Sequence, residues 1–245
     1  MSTRQMRMWP VFLVAVLTPI WVATVWAGKE QLPFDRAEIF LELNATDGDL
    51  GVQFFFDADG WEEITIVTPD GRKMVDIKVK GNAGVIGLTE VFSESAEPSF
   101  DELSLEEFLA LFPEGEYQLF GKTVEGDRLV GEATLTHDLP DPPEIVSPEE
   151  DEEVNSAAPV VIEWNLVADP DPPASVIIGY QVVVEKDQEG EPELAFSVDM
   201  PATATSVTVP PEFLEPGKGY KVEVIAIETS GNKTITEVPF ETAGP

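Results

Sequence analysis

The chain contains no cysteine. That removes disulfide frameworks, thiol nucleophiles, thiolate zinc sites and the residue on which lipobox-type lipidation depends, so the fold must stand on burial alone. Histidine occurs once, as His137. A Ser-His-Asp triad needs its imidazole held against a nucleophile by a third group, and no nucleophile elbow lies near His137 and Asp138. A hinge histidine that touches solvent or the neighbouring domain is the expectation. One histidine also writes no zinc spacing, and no glycine-rich phosphate loop follows a strand and opens a helix.

Positive charge is equally scarce. Lys and Arg number 14 against 47 Asp and Glu, a net charge of −33. Acids and bases stand at 24 to 7 over residues 33–138 and at 22 to 4 over 139–245, so the excess is spread evenly and is not an acidic tail. Such a field repels phosphate backbones and anionic lipid, which argues against nucleic acid as a partner. It suits a solvated surface that keeps a secreted protein soluble, or recognition of a cationic partner.

Long apolar runs are absent after residue 27. Before it, Arg4 and Arg7 precede an apolar run over 9–26, and Val25-Trp26-Ala27 places small residues where a signal peptidase reads. Residues 1–27 are therefore expected to be a secretory signal, giving a secreted, periplasmic or cell-surface protein. A run of about 18 apolar residues also just spans a bilayer, so an uncleaved anchor is the alternative and the one route to a membrane. Cleavage leaves 12 bases against 47 acids, or −35.

Proline and glycine punctuate what remains. His137-Asp138-Leu139-Pro140-Asp141-Pro142-Pro143-Glu144 is dense in proline, which fixes φ and holds preceding residues extended, so 138–143 is expected to be a short semi-rigid linker between domains at 33–137 and 144–243. From 33 to 136 short apolar runs alternate with turn pairs, the all-β pattern, with strands expected near 37–44, 51–56, 61–68, 73–80, 84–90, 116–124 and 128–136. Asp59-Gly60, Asp70-Gly71 and Glu125-Gly126-Asp127 are expected hairpin turns. One helix interrupts: Ser104 and Glu107 make a capping box, Phe108, Leu109, Leu111 and Phe112 follow, and Pro113 with Gly115 stops it. The expected class is all-β, with two β-sandwich domains, the first carrying one short inserted helix.

In the second half, Leu214-Glu215-Pro216-Gly217-Lys218-Gly219-Tyr220 followed by Lys221-Val222-Glu223-Val224-Ile225-Ala226-Ile227 resembles the E to F corner and F strand of a fibronectin type III domain, with Pro216 and Gly217 turning the chain and Tyr220 returning its hydroxyl to nearby backbone. Trp164, ending Val160-Val161-Ile162-Glu163-Trp164, stands where that family places its B-strand tryptophan. Ile178-Gly179-Tyr180-Gln181-Val182-Val183-Val184 matches strand C, Ser206-Val207-Thr208-Val209 strand E, and 236–242 strand G. The resemblance covers about 100 residues, 143–242, and implies a module that binds or spaces. The B to C loop, Ala168-Asp169-Pro170-Asp171-Pro172-Pro173-Ala174-Ser175, departs from it by length and acidity, and no Arg-Gly-Asp tripeptide is present. Residues 43–49, 69–73 and 125–131 are similar to the front part of secreted bacterial proteins of unknown function that end in such a module, which implies an envelope or extracellular setting and no activity.

Candidate sites are few. Calcium needs several oxygen ligands, and among the turn acids Asp47, Asp49, Asp57, Asp59 and Asp70 geometry selects. The strand from Asp49 to Asp57 covers roughly 26 Å at about 3.3 Å per residue, whereas up-and-down strands return Asp47, Asp49 and Asp70 to one pole. That trio is the candidate metal site, though Asp-Gly is first a turn requirement; no other cofactor is expected. Phe54, Phe55 and Phe56 cannot all face inward, so Phe55 is either exposed or under the helix, whose Phe108, Leu109 and Phe112 need a surface. Phe55 and Trp61 are the candidates for a sugar-stacking platform. In the fibronectin-like half, loops carrying Asp169 and Asp171, then 201–205, then Ser230-Gly231-Asn232-Lys233 should share one end, making Asp169, Asp171 and Asn232 candidate ligand contacts. Asn44-Ala45-Thr46 and Asn232-Lys233-Thr234 are glycosylation sequons in a eukaryotic secretory pathway only. The function expected is a non-enzymatic binding protein for an envelope or extracellular protein. The alternatives are an accessory carbohydrate-binding protein, or a hydrolase using two carboxylates about 5 to 10 Å apart in a cleft.

Overall fold

The computed structural model describes residues 29–168, 176–186 and 194–244; the expected signal at 1–27, and Asp169 and Asp171 of the B to C loop, lie outside them. In chain order the first half holds β1 (Gln31–Pro33), β2 (Arg36–Asn44), β3 (Asp49–Val67), β4 (Lys73–Lys78), a one-turn helix α1 (Ala83–Ile86), β5 (Leu88–Glu94), helix α2 (Leu105–Leu111), β6 (Gly115–Thr123) and β7 (Arg128–Leu135). The second half holds β8 (Ile145–Ser147), β9 (Glu152–Val154), β10 (Val160–Trp164), β11 (Ile177–Lys186), β12 (Ala195–Pro201), β13 (Ser206–Val209), β14 (Gly219–Glu228) and β15 (Lys233–Thr242).

The long strand β3 organises the first half. Its 19 residues would extend about 63 Å if straight at ~3.3 Å each, too long for a domain of about 100 residues with a radius of gyration near 13 Å, so it must bend. It pairs β2 and β5 over 49–57, then β4 and β6 beyond Trp61, with register shifts between Asp57 and Trp61 and between Trp61 and Glu63. The Asp59-Gly60 pair expected to close a hairpin instead lies inside this strand at the shift. Gly87, at φ +78°, explains why glycine is used here: a Cβ on it would sit 2.7 Å from the Gly60 carbonyl carbon and 2.9 Å from the Trp61 nitrogen, so the end of α1 closes directly on the bulge. Hairpin turns do form at Asp70-Gly71 and Gly126, with Gly71 at φ +84° and Gly126 at φ +90°.

Both segments of β3 bury alternate residues, Leu50, Val52, Phe54, Phe56 and Ala58 on one side of the bulge and Trp61, Ile64 and Ile66 on the other. With Leu41, Tyr117, Leu119 and Leu129 they form the first core. Helix α2 begins as expected: the Ser104 side chain accepts from the Glu107 amide and the Glu107 carboxylate accepts from the Ser104 amide, satisfying two donors that the first helical turn leaves orphaned. Its Phe108, Leu109 and Phe112 pack on this core, which includes Phe54 and Phe56 and not Phe55. The second core gathers Val160, Ile162, Trp164, Tyr180, Val182, Val184, Tyr220, Val222, Val224 and Phe240, between the three-stranded layer β13-β10-β8 and the layer holding β15, β14, β11 and β12.

The two layers holding these cores are not separated by a free spacer. β15 pairs in parallel with β2, Lys233 opposite Glu42, Thr234 opposite Leu43 and Ile235 opposite Asn44, so one twelve-stranded sheet runs through both halves in the order β1-β7-β6-β3-β2-β15-β14-β11-β12. The proline segment is laid against this joint: Pro140 and Pro143 are buried, and the Pro140 carbonyl accepts from the Thr234 hydroxyl at 2.7 Å.

Candidate functional site

The joint is built around Asn232. The turn that carries it is latched from within, because the buried Glu228 carboxylate accepts from the amides of Ser230 and Asn232 and from the Ser230 hydroxyl. Gly231, at φ +96°, turns the chain back and sets Asn232 into the first half. There its side-chain oxygen accepts from the Leu41 amide at 2.8 Å, while its nitrogen donates to the Thr136 carbonyl and hydroxyl at 3.0 Å and to the Asp138 carbonyl at 2.9 Å. Asn232 has no exposed surface. It is therefore a structural hub and not the ligand contact expected of its loop, and its sequon is closed to modification. Lys233 adds an ion pair to Glu42 at 3.1 Å and lies over the Phe40 ring, and the Asn44 side chain donates to Glu237 at 2.8 Å.

Across the outer face of the sheet, Phe55 stands opposite Phe92 on β5 and Glu38 on β2. Phe92 is 57% exposed and Phe55 half-buried, with the Arg36 guanidinium 4.5 Å from the Phe55 ring centre and held by a two-pronged ion pair to Glu38 at 2.7 Å. Phe55 is thus neither free nor under α2. Next to it, a groove of about 390 Å³ crosses the joint, lined by Arg36, Phe40, Ile178, Ile227 and Lys233 among others. Trp61 does not contribute to this surface. It is fully buried, with its indole N–H donating to the Thr89 carbonyl at 3.1 Å, because the bulge turns it into the core. Phe92 escaped the sequence reading, which ended its strand at residue 90; the β-branched and aromatic pair Val91-Phe92 was the available signal.

The expected calcium trio does not assemble. Among the described residues Asp47, Asp49 and Asp70 do not bring their carboxylates together as a group, and the Asp70 carboxylate is occupied within its own turn by the Thr68 hydroxyl and by Arg72 at 2.7 Å and is held below its ordinary range by those bonds, the Thr68 one foremost. Among the described residues the acids that converge are others. Glu42, Glu94 and Glu97 each bring a carboxylate oxygen within 4.8 Å of the rest. Gln53, opposite Glu94 in register, donates from its amide nitrogen to Glu42 at 2.7 Å and to Glu94 at 2.9 Å. Glu94 and Glu97 are exposed residues and Glu42 is half-buried, but the Glu97 carboxylate lies against Gly51, and its desolvation, followed by the charges of Glu94, Asp49 and Glu42, pushes its pKa up to about 7. Asp49 is raised as well, by burial first and then by Asp47 and Glu237.

His137 turns toward its own domain, its ring Nε2 lying 2.8 Å from the Phe112 carbonyl at the end of α2 and its amide donating to Glu114. That ring N–H is spent on backbone.

In the second half the corner is complete. The Tyr220 hydroxyl accepts from the Glu215 amide at 2.8 Å, Gly217 sits at φ +66°, its amide donating to the backbone of Thr242 and Ala243, and the Tyr220 ring stacks on Phe240. Trp164 is buried against Tyr180, ring centres 5.5 Å apart, and the Tyr180 hydroxyl accepts from the Val167 amide. Residues 146–242 match the fibronectin type III domain. The C-terminal part of this chain is a fibronectin type III module. Solved structures similar to the chain include the fibronectin(III)-like modules of Clostridium thermocellum CbhA, 10% identical over 86% of this chain and 94% of that one with a TM-score of 0.34. The FN1-FN3 domains of chicken CNTN1 are 11% identical over 87% of this chain and 65% of that one, TM-score 0.34. The fn3 domain of human collagen alpha-1(XX) chain is 23% identical over 43% of this chain and 85% of that one, TM-score 0.29. No curated protein matches.

Proposed function

We propose that this is a non-enzymatic binding protein of the cell envelope or extracellular space, in which the N-terminal domain carries the specific contact and the fibronectin type III module holds it at a fixed angle. Its partner is a protein. The observation that carries this reading is the outer face of β2, β3 and β5, where Phe92 stands 57% exposed beside Phe55 and Arg36 and the surface continues into the groove over the joint. Aromatic and arginine side chains are what interface centres are enriched in, and an exposed apolar patch on an otherwise charged surface marks an interaction site. The loop end of the fibronectin module gives one of its three loops, with Asn232, to the joint, which moves the interaction toward the N-terminal domain.

The glycan reading is weaker on this surface, because Trp61 is buried and one face of Phe55 is taken by Arg36. Fibronectin type III domains are generally non-catalytic, which supports the non-enzymatic reading for the C-terminal part. Secretion rests on residues 1–27; among the described residues no helix is long and apolar enough to cross a membrane. In-cell cross-linking of the tagged protein in its host, with mass spectrometry of what it captures, is the test. One envelope protein recovered in stoichiometric amount from wild type and lost from Phe55→Ala/Phe92→Ala supports the proposal. Capture that survives the double variant moves the contact elsewhere, and recovery of polysaccharide alone replaces the protein partner with a glycan. The mass of the secreted species tests the signal: an intact Met1 terminus in the membrane fraction means an anchor.

A further inference from the structure

Buried polar atoms in folded proteins are almost always hydrogen-bonded, and each exception calls for an explanation. Among the described residues four buried side-chain atoms have no partner, and two of them, Gln53 Oε1 and Asp49 Oδ1, belong to the neighbourhood of Glu42, Glu94 and Glu97. Gln53 is only 2% exposed, and the nitrogen of its carboxamide donates to Glu42 and Glu94 while its oxygen is left without a partner. Its two amide hydrogens stand where positive charge is needed. Lys233, paired with Glu42, is one cation against Glu42, Glu94, Glu97 and Asp49, so the cluster keeps a net negative charge.

A second observation is the space itself. Gly51 is opposite Glu42 in register and two residues from Gln53 on the same face. A Cβ there would meet Glu97 Oε1 at 2.7 Å and its Cγ at 3.0 Å. The missing side chain makes the cradle into which the Glu97 carboxylate folds, from the segment after β5, onto β2 and β3. Three like charges are thereby drawn together by the backbone at a place where any residue larger than glycine would hold them apart.

The dimensions suit one ion class. Two oxygens each about 2.4 Å from a shared calcium are at most about 4.8 Å apart, and the three carboxylates meet that limit with one oxygen each. All donors are oxygen, which selects hard cations over zinc or copper. Flexible glutamate side chains from separate strands tolerate the variable calcium shell better than the strict octahedron of magnesium. We infer that Glu42, Glu94 and Glu97, joined by the Gln53 side-chain oxygen once its amide turns over, form a calcium site beside the joint between the two domains. Because Glu42 is the register partner of Lys233, the ion ties the segment carrying Glu97 to the strand on which the fibronectin module is hung. This stands independently of the partner proposed above.

The test is calorimetric and thermal titration of the full secreted chain with calcium chloride, in about 0.15 M sodium chloride, where the screening length of about 8 Å suppresses diffuse attraction to an acidic surface. Wild type should bind calcium and melt several degrees higher with it than with chelator, with magnesium at equal concentration giving less. Glu94→Gln/Glu97→Gln removes like charges without changing shape, so it should fold, and it should lose at least tenfold in calcium affinity. Asp47→Asn/Asp70→Asn should bind like wild type. No calcium response in wild type overturns the inference, and so does a response that Glu94→Gln/Glu97→Gln leaves intact, which would be diffuse binding to the acidic surface. Gly51→Ala, if it folds, should weaken calcium by filling the cradle.

Discussion

Two polar clusters lie one residue apart along β2 and behave as opposites. At Leu41 the backbone amide donates to Asn232, a neutral side chain with no exposed surface and every donor and acceptor satisfied. At Glu42 a carboxylate joins two others around an amide whose oxygen has no partner. A satisfied buried network holds structure in one arrangement, because every alternative leaves a group unpaired. An under-satisfied, charged one is where an added proton or cation stabilises most. The first cluster therefore explains how the two domains are fixed, and the second is the place inferred above for a cation.

The largest effect should come from breaking the satisfied cluster. Asn232→Ala orphans the Leu41 amide and two carbonyls at the joint and should cost about 3 kcal/mol in urea unfolding, since one unsatisfied buried group costs roughly 1–3 kcal/mol. It should also free the domains, read as a larger radius of gyration in solution scattering and new proteolysis within 138–143. An unchanged radius would mean that the parallel β15 to β2 pairing alone fixes the domains.

A control away from the joint comes next. Tyr220→Phe removes the acceptor of the Glu215 amide and should destabilise by about 1–2 kcal/mol with no change in radius, separating stability of the module from geometry of the joint. Ser104→Ala, at the α2 cap, should cost about 1 kcal/mol, confined to the N-terminal domain and visible in hydrogen exchange of residues 105–111.

The smallest effect sharpens the contrast from the charged side. The Glu97 pKa is raised from an ordinary 4.5 to about 7, so protonated Glu97 is favoured by folding. In chelator, the stability it contributes should be present in full below about pH 4.5 and be lost as pH rises through about 7. Glu97→Gln should flatten that portion of the stability profile. A profile identical to wild type would show that the carboxylate does not sit in the cradle.

What was legible in the sequence was whatever neighbouring residues decide between themselves. The Ser104 and Glu107 box, the Asp70-Gly71 turn and the Tyr220 corner each close within a few residues, and all three formed. Asp59-Gly60 has the same letters as a hairpin turn, yet β3 continues through it, because partners from two layers take the strand on either side. Burial was misjudged where the covering group is far away in sequence: Trp61 was a candidate for a sugar-stacking platform, against a default of core or rim packing, and Asn232 was placed at an exposed loop. Asn232 is 191 residues from the amide it binds, and no periodicity near either one announces that bond. The calcium trio did not converge because the Asp70 carboxylate is spent within its own turn, on Thr68 and Arg72, while the acids that do meet, Glu42, Glu94 and Glu97, come from β2, from β5 and from the segment after it.

Alternation and turn chemistry by themselves determined that this is an all-β chain, because side-chain period and φ preference are local properties of the backbone, and the fibronectin type III module at its C-terminal end was legible as a resemblance carried by Trp164, Tyr180 and the corner over 214–220. Only the tertiary structure decided that one sheet runs through both halves, that Asn232 is spent on the joint and that Glu42, Glu94 and Glu97 meet. Strand pairing between distant segments is set by which edges and faces are left to satisfy once each half has closed on its own core, and a sequence of residues does not state which those will be.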